Sequence, residues 1–180
     1  MASRKPKPTK FVVLLILGLL LLASGAYLSY QKTILSFSEV PVQAQEVTRG
    51  ELPTEIVISS AGIDLAIEMG TINNGIWEIS ETMASYLASS GKIGQSGNVV
   101  IYGHNKTSIF GSLTKVKVGD KITLKSEKGN LYDYQVEEIS TVKPTEVSVI
   151  APTSYEVLTV YTCTGILDSK RLVIRATPTE

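Results

Sequence analysis

Apolar residues follow two different patterns along this chain. Between residues 11 and 31 there is no charged side chain, and residues 11–22 (FVVLLILGLLLL) are almost wholly apolar. At about 1.5 Å of rise per residue, roughly 20 such residues span a hydrocarbon core of about 30 Å, so the segment predicts a transmembrane helix over 11–31. From Leu52 onward the pattern changes to short β-rich runs: EIVISSAGIDLAI, NVVIYG, DKITLKS, LYDYQVEEIS, EVLTVYTC and RLVIRAT. Turn residues separate them, among them Gly70, Asn73-Asn74-Gly75, Gly119-Asp120 and Gly129-Asn130. Regularly spaced short strands with such separators predict an all-β domain, a barrel or a sandwich. Residues 80–90 read instead as a short helix capped by Ser80. The predicted organisation is a cytoplasmic basic N-terminus (1–10), a transmembrane anchor (11–31), a stalk without clear period (32–51) and one β-domain (52–180) with one or two short helices.

Charge orients this arrangement. The chain carries 17 basic and 17 acidic residues, but Arg4, Lys5, Lys7 and Lys10 all precede residue 11. A basic flank before an apolar span places the N-terminus in the cytoplasm and the remainder outside. The rival is a cleaved signal peptide, for which small residues at 23–26 would supply the site. The length of the apolar run favours the anchor. The rest of the chain keeps 13 basic and 17 acidic residues, a net charge of about −4. No basic stripe remains for a phosphate backbone, which argues against nucleic acid as a partner.

The chain has one Cys and one His. A lone thiol in an exported chain forms no internal disulfide, so it is either buried and inert or used for chemistry. Cys163 ends the run EVLTVYTC, His104 follows the run in GNVVIYGHN, and Arg171 opens RLVIRAT a short connection after the cysteine. Taken singly, each has an ordinary explanation: a buried thiol, a satisfied histidine, a solvated charge. Together they supply what thiol acyl transfer requires. An imidazole can generate the thiolate and protonate a leaving amine, and a guanidinium stays charged while it stabilises a tetrahedral oxyanion.

At these residues the sequence resembles the sortases. GNVVIYGHN with the following IFGSLTKVKVGDKI is similar to the family's histidine region. TVYTC resembles its Thr-Leu-x-Thr-Cys motif, with Val160 in place of Leu, and KRLVIRA resembles the segment that carries its arginine. The likeness covers residues 53–177. It implies an eight-stranded β-barrel, with His104 as general acid, Cys163 as nucleophile and Arg171 as stabiliser of oxyanion and substrate. Thr162, Asn105 and Thr164 are the expected substrate contacts, and residues 143–155 the segment that binds the sorting signal. Sortases cut such a signal, often Leu-Pro-x-Thr-Gly, between Thr and Gly. They hold the protein as a thioester and pass it to an amine of a cell-wall precursor or a pilin lysine.

No cofactor is expected. Some relatives bind calcium through carboxylates beside the signal-binding segment, and Glu137 and Glu138 are nearby. Adjacent strand residues point to opposite faces, so the pair reads as a solvated strand. LPTE at residues 52–55 lacks the glycine of a sorting signal and reads as the entry to the first strand. Two other exported cysteine enzymes fit less well: papain-like hydrolases place Cys before His, and L,D-transpeptidases carry a different motif around the thiol. The non-enzymatic alternative is a membrane-anchored β-domain that binds a surface partner. It requires Cys163 to be buried with His104 far away.

Overall fold

The computed structural model describes residues 8–33, 50–73 and 76–179. Two compact units divide between Ile34 and Leu35. The first contains one continuous helix, α1 (Pro8–Thr33), over the predicted anchor. Among the described residues no helix is long and apolar enough to cross a membrane; the helix is shown, its insertion is not. The predicted cytoplasmic N-terminus and stalk lie mostly outside the described residues.

The second unit is an all-β barrel. In chain order its strands are β1 (Pro53–Ile58), β2 (Ile63–Gly70), β3 (Ile72–Asn73), β4 (Ile76–Trp77), β5 (Ala84–Leu87), β6 (Gly97–Gly103), β7 (Lys121–Ser126), β8 (Leu131–Val142), β9 (Glu156–Thr164) and β10 (Lys170–Pro178). Eight of them close a barrel in the order β1-β2-β5-β6-β9-β10-β8-β7, while β3 and β4 pair separately. The β2–β5 and β6–β9 pairs are parallel and the other barrel pairs antiparallel. Closure leaves no unpaired edge among the eight barrel strands described.

The alternation of side chains along the strands builds the interior. Ile56, Ile58, Val99, Ile101, Ile122, Leu124, Leu158, Val160 and Ile174 are all fully buried in one cluster. Full burial of each such side chain contributes about 1.5–3 kcal/mol. The first predicted run, EIVISSAGIDLAI, is two strands rather than one. Ser59–Ala61 forms a 3-10 turn, and Gly62 takes φ 65° while its N–H donates to the Ser59 carbonyl.

The predicted helix over 80–90 is a correction. Residues 81–83 bend and Ala84–Leu87 form β5, paired with β2 and β6. The capping contacts do form: the Ser80 hydroxyl accepts from the N–H of Met83 (3.0 Å) and Thr82 (3.4 Å). A helix does not follow, because all four residues of β5 are buried. Among the described residues of this unit, the helical segments are four short 3-10 turns.

The barrel rim beside β1 holds a buried acid. Glu51 bridges to Ile93 through two backbone hydrogen bonds of 3.0 Å, and its carboxylate accepts from Asn130 Nδ2 at 3.1 Å and meets Lys128 Nζ at 3.2 Å. A hydrogen bond from Ser126, then those from Asn130 and Lys128, pull its pKa from 4.5 down to about 2. A carboxyl depressed on folding stabilises above its unfolded pKa, and this stabilisation is lost as pH falls through the folded value. Urea unfolding between pH 5 and pH 2 should therefore show stability dropping across that window. Glu51→Gln should flatten the drop, and an unchanged pH slope would remove Glu51 as a contributor.

Candidate active site

Three neighbouring strands carry the predicted residues. β6 runs parallel to β9 with Gly103 opposite Thr162, and β10 runs antiparallel to β9 with Arg171 directly opposite Cys163. One step beyond the last β6 pair, His104 stands level with Cys163. Paired strands lie about 4.8 Å apart, so the three backbones meet in one row: His104, Cys163, Arg171.

Alternation puts them on one face. Val99, Ile101, Leu158, Val160, Leu172 and Ile174 point into the barrel core. The intervening residues Tyr102, Tyr161, Cys163, Arg171 and Val173 therefore point outward. This outer face is nonetheless covered. Tyr102 stacks on Tyr161 with ring centroids 5.6 Å apart, and Trp77 packs edge-on against Tyr102 at 5.2 Å. The Tyr102 hydroxyl donates to the Glu78 carbonyl at 2.6 Å. Asn98 Nδ2 donates to the carbonyls of Val149 (3.0 Å) and Ala151 (3.1 Å), while its Oδ1 accepts from the Thr159 hydroxyl at 2.7 Å. Those bonds tie the 143–155 connection across the same face as Cys163.

Cys163 and Arg171 are almost fully buried, and His104 is half-buried. Arg171 Nη1 donates to the carbonyls of Asp168 (2.8 Å) and Lys170 (3.0 Å). These carbonyls belong to the turn that links β9 to β10, where Leu167 and Asp168 adopt φ of 52° and 56°. Left-handed backbone at non-glycine residues stores strain that the surrounding structure must hold. The guanidinium clamps that turn and is itself compensated by it. Burial pulls the His104 pKa below its ordinary 6.5, opposed by the Glu81 carboxylate and reinforced by Lys106. His104 Nε2 lies 3.4 Å from Glu81 Oε1. Burial thus favours the neutral imidazole, and the Glu81 carboxylate beside it favours the charged one.

The expected substrate contacts fare differently. Thr162 lies on the opposite face of β9 from Cys163, buried, with its hydroxyl donating to the Gly103 carbonyl at 2.8 Å. It ties β9 to the strand end that carries His104. Asn105 is exposed just beyond His104, and Thr164 is half-buried at the end of β9 opposite Lys170. Glu137 and Glu138 are exposed on β8, Glu137 accepting from the Thr177 hydroxyl and Glu138 standing opposite Arg175. Among the described residues no group of three or more His, Cys, Asp or Glu is arranged to hold a metal ion. Sequence reasoning missed Glu81, whose contact with His104 bridges two loops and leaves no periodic signal.

The family model for the sortase domain matches residues 56–179. A curated relative, sortase A of Listeria monocytogenes, is 35% identical over 111 residues, covering 60% of this chain and 47% of the relative. The match thus spans about half of that protein's length. Among solved structures, sortase A from Corynebacterium diphtheriae (a lid mutant) superposes with a TM-score of 0.63 at 25% identity, covering 84% of this chain and 89% of the other. The pilus-related sortase C of Group B Streptococcus gives 0.62 at 27% identity, covering 75% and 70%.

Thr162→Val removes the hydroxyl and keeps the shape, leaving the buried Gly103 carbonyl without that donor. The expected loss of stability is about 1–3 kcal/mol by denaturant unfolding. A neutral substitution would show that the hydroxyl does not pin the two strands.

Proposed function

The chain belongs to the sortase family, and on that premise we propose that it is a cysteine transpeptidase with Cys163 as nucleophile. The observation that carries this reading is the strand register that sets Cys163 between His104 and Arg171 on one face. The His104 imidazole takes the Cys163 thiol proton, and the resulting thiolate attacks the carbonyl carbon of a scissile peptide bond, forming a C–S bond as the carbonyl π pair moves to oxygen. Negative charge develops on the carbonyl oxygen, where the Arg171 guanidinium stabilises it. The C–N bond then breaks, and the His104 imidazolium gives its proton to the departing amine. An acceptor amine, deprotonated by His104, attacks the thioester and expels the thiolate.

The substrate proposed is a Leu-Pro-x-Thr-Gly-like sorting signal cut between Thr and Gly. The acceptor proposed is an amine of a lipid-linked cell-wall precursor or a pilin lysine. Both fit a catalytic domain held outside the membrane by α1 as a single-pass anchor, N-terminus in the cytoplasm. The basic flank before residue 11 and the uncharged stretch after it support that topology. Calcium has no assigned place in this reading. The burial of Cys163 taken alone favours a non-catalytic β-domain that binds a surface partner. The adjoining His104 and Arg171 outweigh it, because that reading needs the histidine far from the thiol.

Incubation with a library of sorting-signal peptides should yield an acyl adduct on Cys163, read by mass spectrometry. Cys163→Ala should abolish cleavage while circular dichroism keeps the β signature. No adduct across the library, or wild-type cleavage by the alanine variant, would overturn the reading. Arg171→Lys keeps the charge but loses the planar fork. It should lower kcat/KM roughly 100- to 1,000-fold, as loss of an oxyanion donor does. Near-normal turnover in a folded variant would take Arg171 out of the chemistry.

A further inference from the structure

The connection between β4 and β5 brings a second carboxylate to the edge of the site. Glu81 lies in the bend before β5 and its side chain is 69% exposed, yet its two oxygens are both engaged. Oε1 lies 3.4 Å from His104 Nε2, and Oε2 receives a short hydrogen bond from Lys106 Nζ at 2.5 Å. The backbones on both sides are held. Ser80 donates its N–H to the buried Ser85 hydroxyl at 2.9 Å, and its own hydroxyl accepts from Met83 N–H. The Lys106 carbonyl accepts from the N–H groups of Ile109 (2.9 Å) and Gly111 (2.8 Å). Exposed ion pairs of this kind add little to stability. What the arrangement does fix is the environment of a single ring nitrogen.

We infer that Glu81 is a positioning residue for His104, a carboxylate braced by Lys106 that selects the imidazole tautomer bearing its proton on Nε2. Nδ1 is then the nitrogen with the free lone pair, and the ring is held against rotation. This rests on the reading of His104 as the acid–base group. It adds a member that the Cys–His–Arg row does not contain. The charged groups around the ring are Glu81, Lys106 and Asp168, with Cys163 and Arg171 on the neighbouring strands. Glu81 and Asp168 favour the imidazolium, while burial and Lys106 oppose it.

Because the chain has one histidine, nitrogen NMR of the full chain with labelled histidine reports on His104 without assignment. The wild type should show a protonated Nε2 and an unprotonated Nδ1. Glu81→Ala should move the tautomers toward balance and lower the His104 pKa. Glu81→Gln keeps an acceptor but not the charge, so it should preserve the tautomer while lowering the pKa. Lys106→Met removes a nearby cation and should raise it. Glu81→Ala should also reduce kcat/KM roughly ten- to hundredfold, the scale of a misplaced reacting group. Unchanged tautomer and pKa in both Glu81 variants would overturn the inference. NMR changes as expected with no adduct on Cys163 would uphold the positioning role and refute the transpeptidase reading instead.

Discussion

The pairing of β9 with β6 on one side and β10 on the other is the constraint on which the site depends. Cys163 is 59 residues from His104 in sequence, and only the parallel β6–β9 register brings them level. A slip of one residue would turn the thiol to the barrel interior, since side chains alternate with a period of two. The register is held from both faces. Inside, Val99, Ile101, Leu158 and Val160 pack the core. Outside, Tyr102 stacks on its register partner Tyr161, and Asn98 bonds Thr159. At the rim, Thr162 fastens β9 to Gly103, the residue before His104. Gly103 has no side chain because there is no room for one: a Cβ there would lie 2.9 Å from Ile109 and 3.0 Å from Phe110. Close packing of those two residues against the strand end, with Phe110 N–H on the His104 carbonyl, sets the backbone from which the imidazole projects.

Placing a guanidinium in this covered face carries a desolvation cost, and the fold meets it with backbone. The turn between β9 and β10 bends back so that two carbonyls reach Arg171. That bend requires positive φ at Leu167 and Asp168, which Asp tolerates better than Leu. Strain in the turn and burial of the charge are thus two sides of one arrangement, each held in place by the other. The same turn presents Ile166 and Leu167 to solvent beside the thiol, 85% and 79% exposed.

Much of this arrangement is legible in the sequence. The alternating runs at NVVIYG, EVLTVYTC and RLVIRAT are β6, β9 and β10, and the rare His and Cys marked their ends. What escaped did so for physical reasons. β5 is buried on both faces, so its residues show no alternation, and Ser80 makes the hydrogen bonds of a helix cap at the head of a strand. Local capping chemistry and tertiary pairing disagreed there, and pairing with β2 and β6 won. Thr162 adjoins the thiol in sequence, but adjacent strand residues face opposite ways, and its hydroxyl bonds Gly103. Glu81 touches His104 across 23 residues of chain, and nothing in the local pattern of either segment announces the contact.

The charges flanking Cys163 are of two kinds, and the difference shapes the chemistry. A guanidinium is a permanent cation, and that of Arg171, on the strand beside Cys163, is clamped by two carbonyls. His104 is switchable, with burial favouring the neutral ring and Glu81 and Asp168 the charged one. A neutral imidazole can take the thiol proton, and the cation it becomes is then stabilised by the carboxylate 3.4 Å away. In the proposed mechanism, proton transfer creates an ion pair between thiolate and imidazolium, with Arg171 on the strand beside the thiol and Glu81 beside the ring. Two anions and two cations then alternate along the row, Glu81, His104, Cys163, Arg171. On that proposal, charge that develops during the reaction meets an opposite charge on a neighbouring residue.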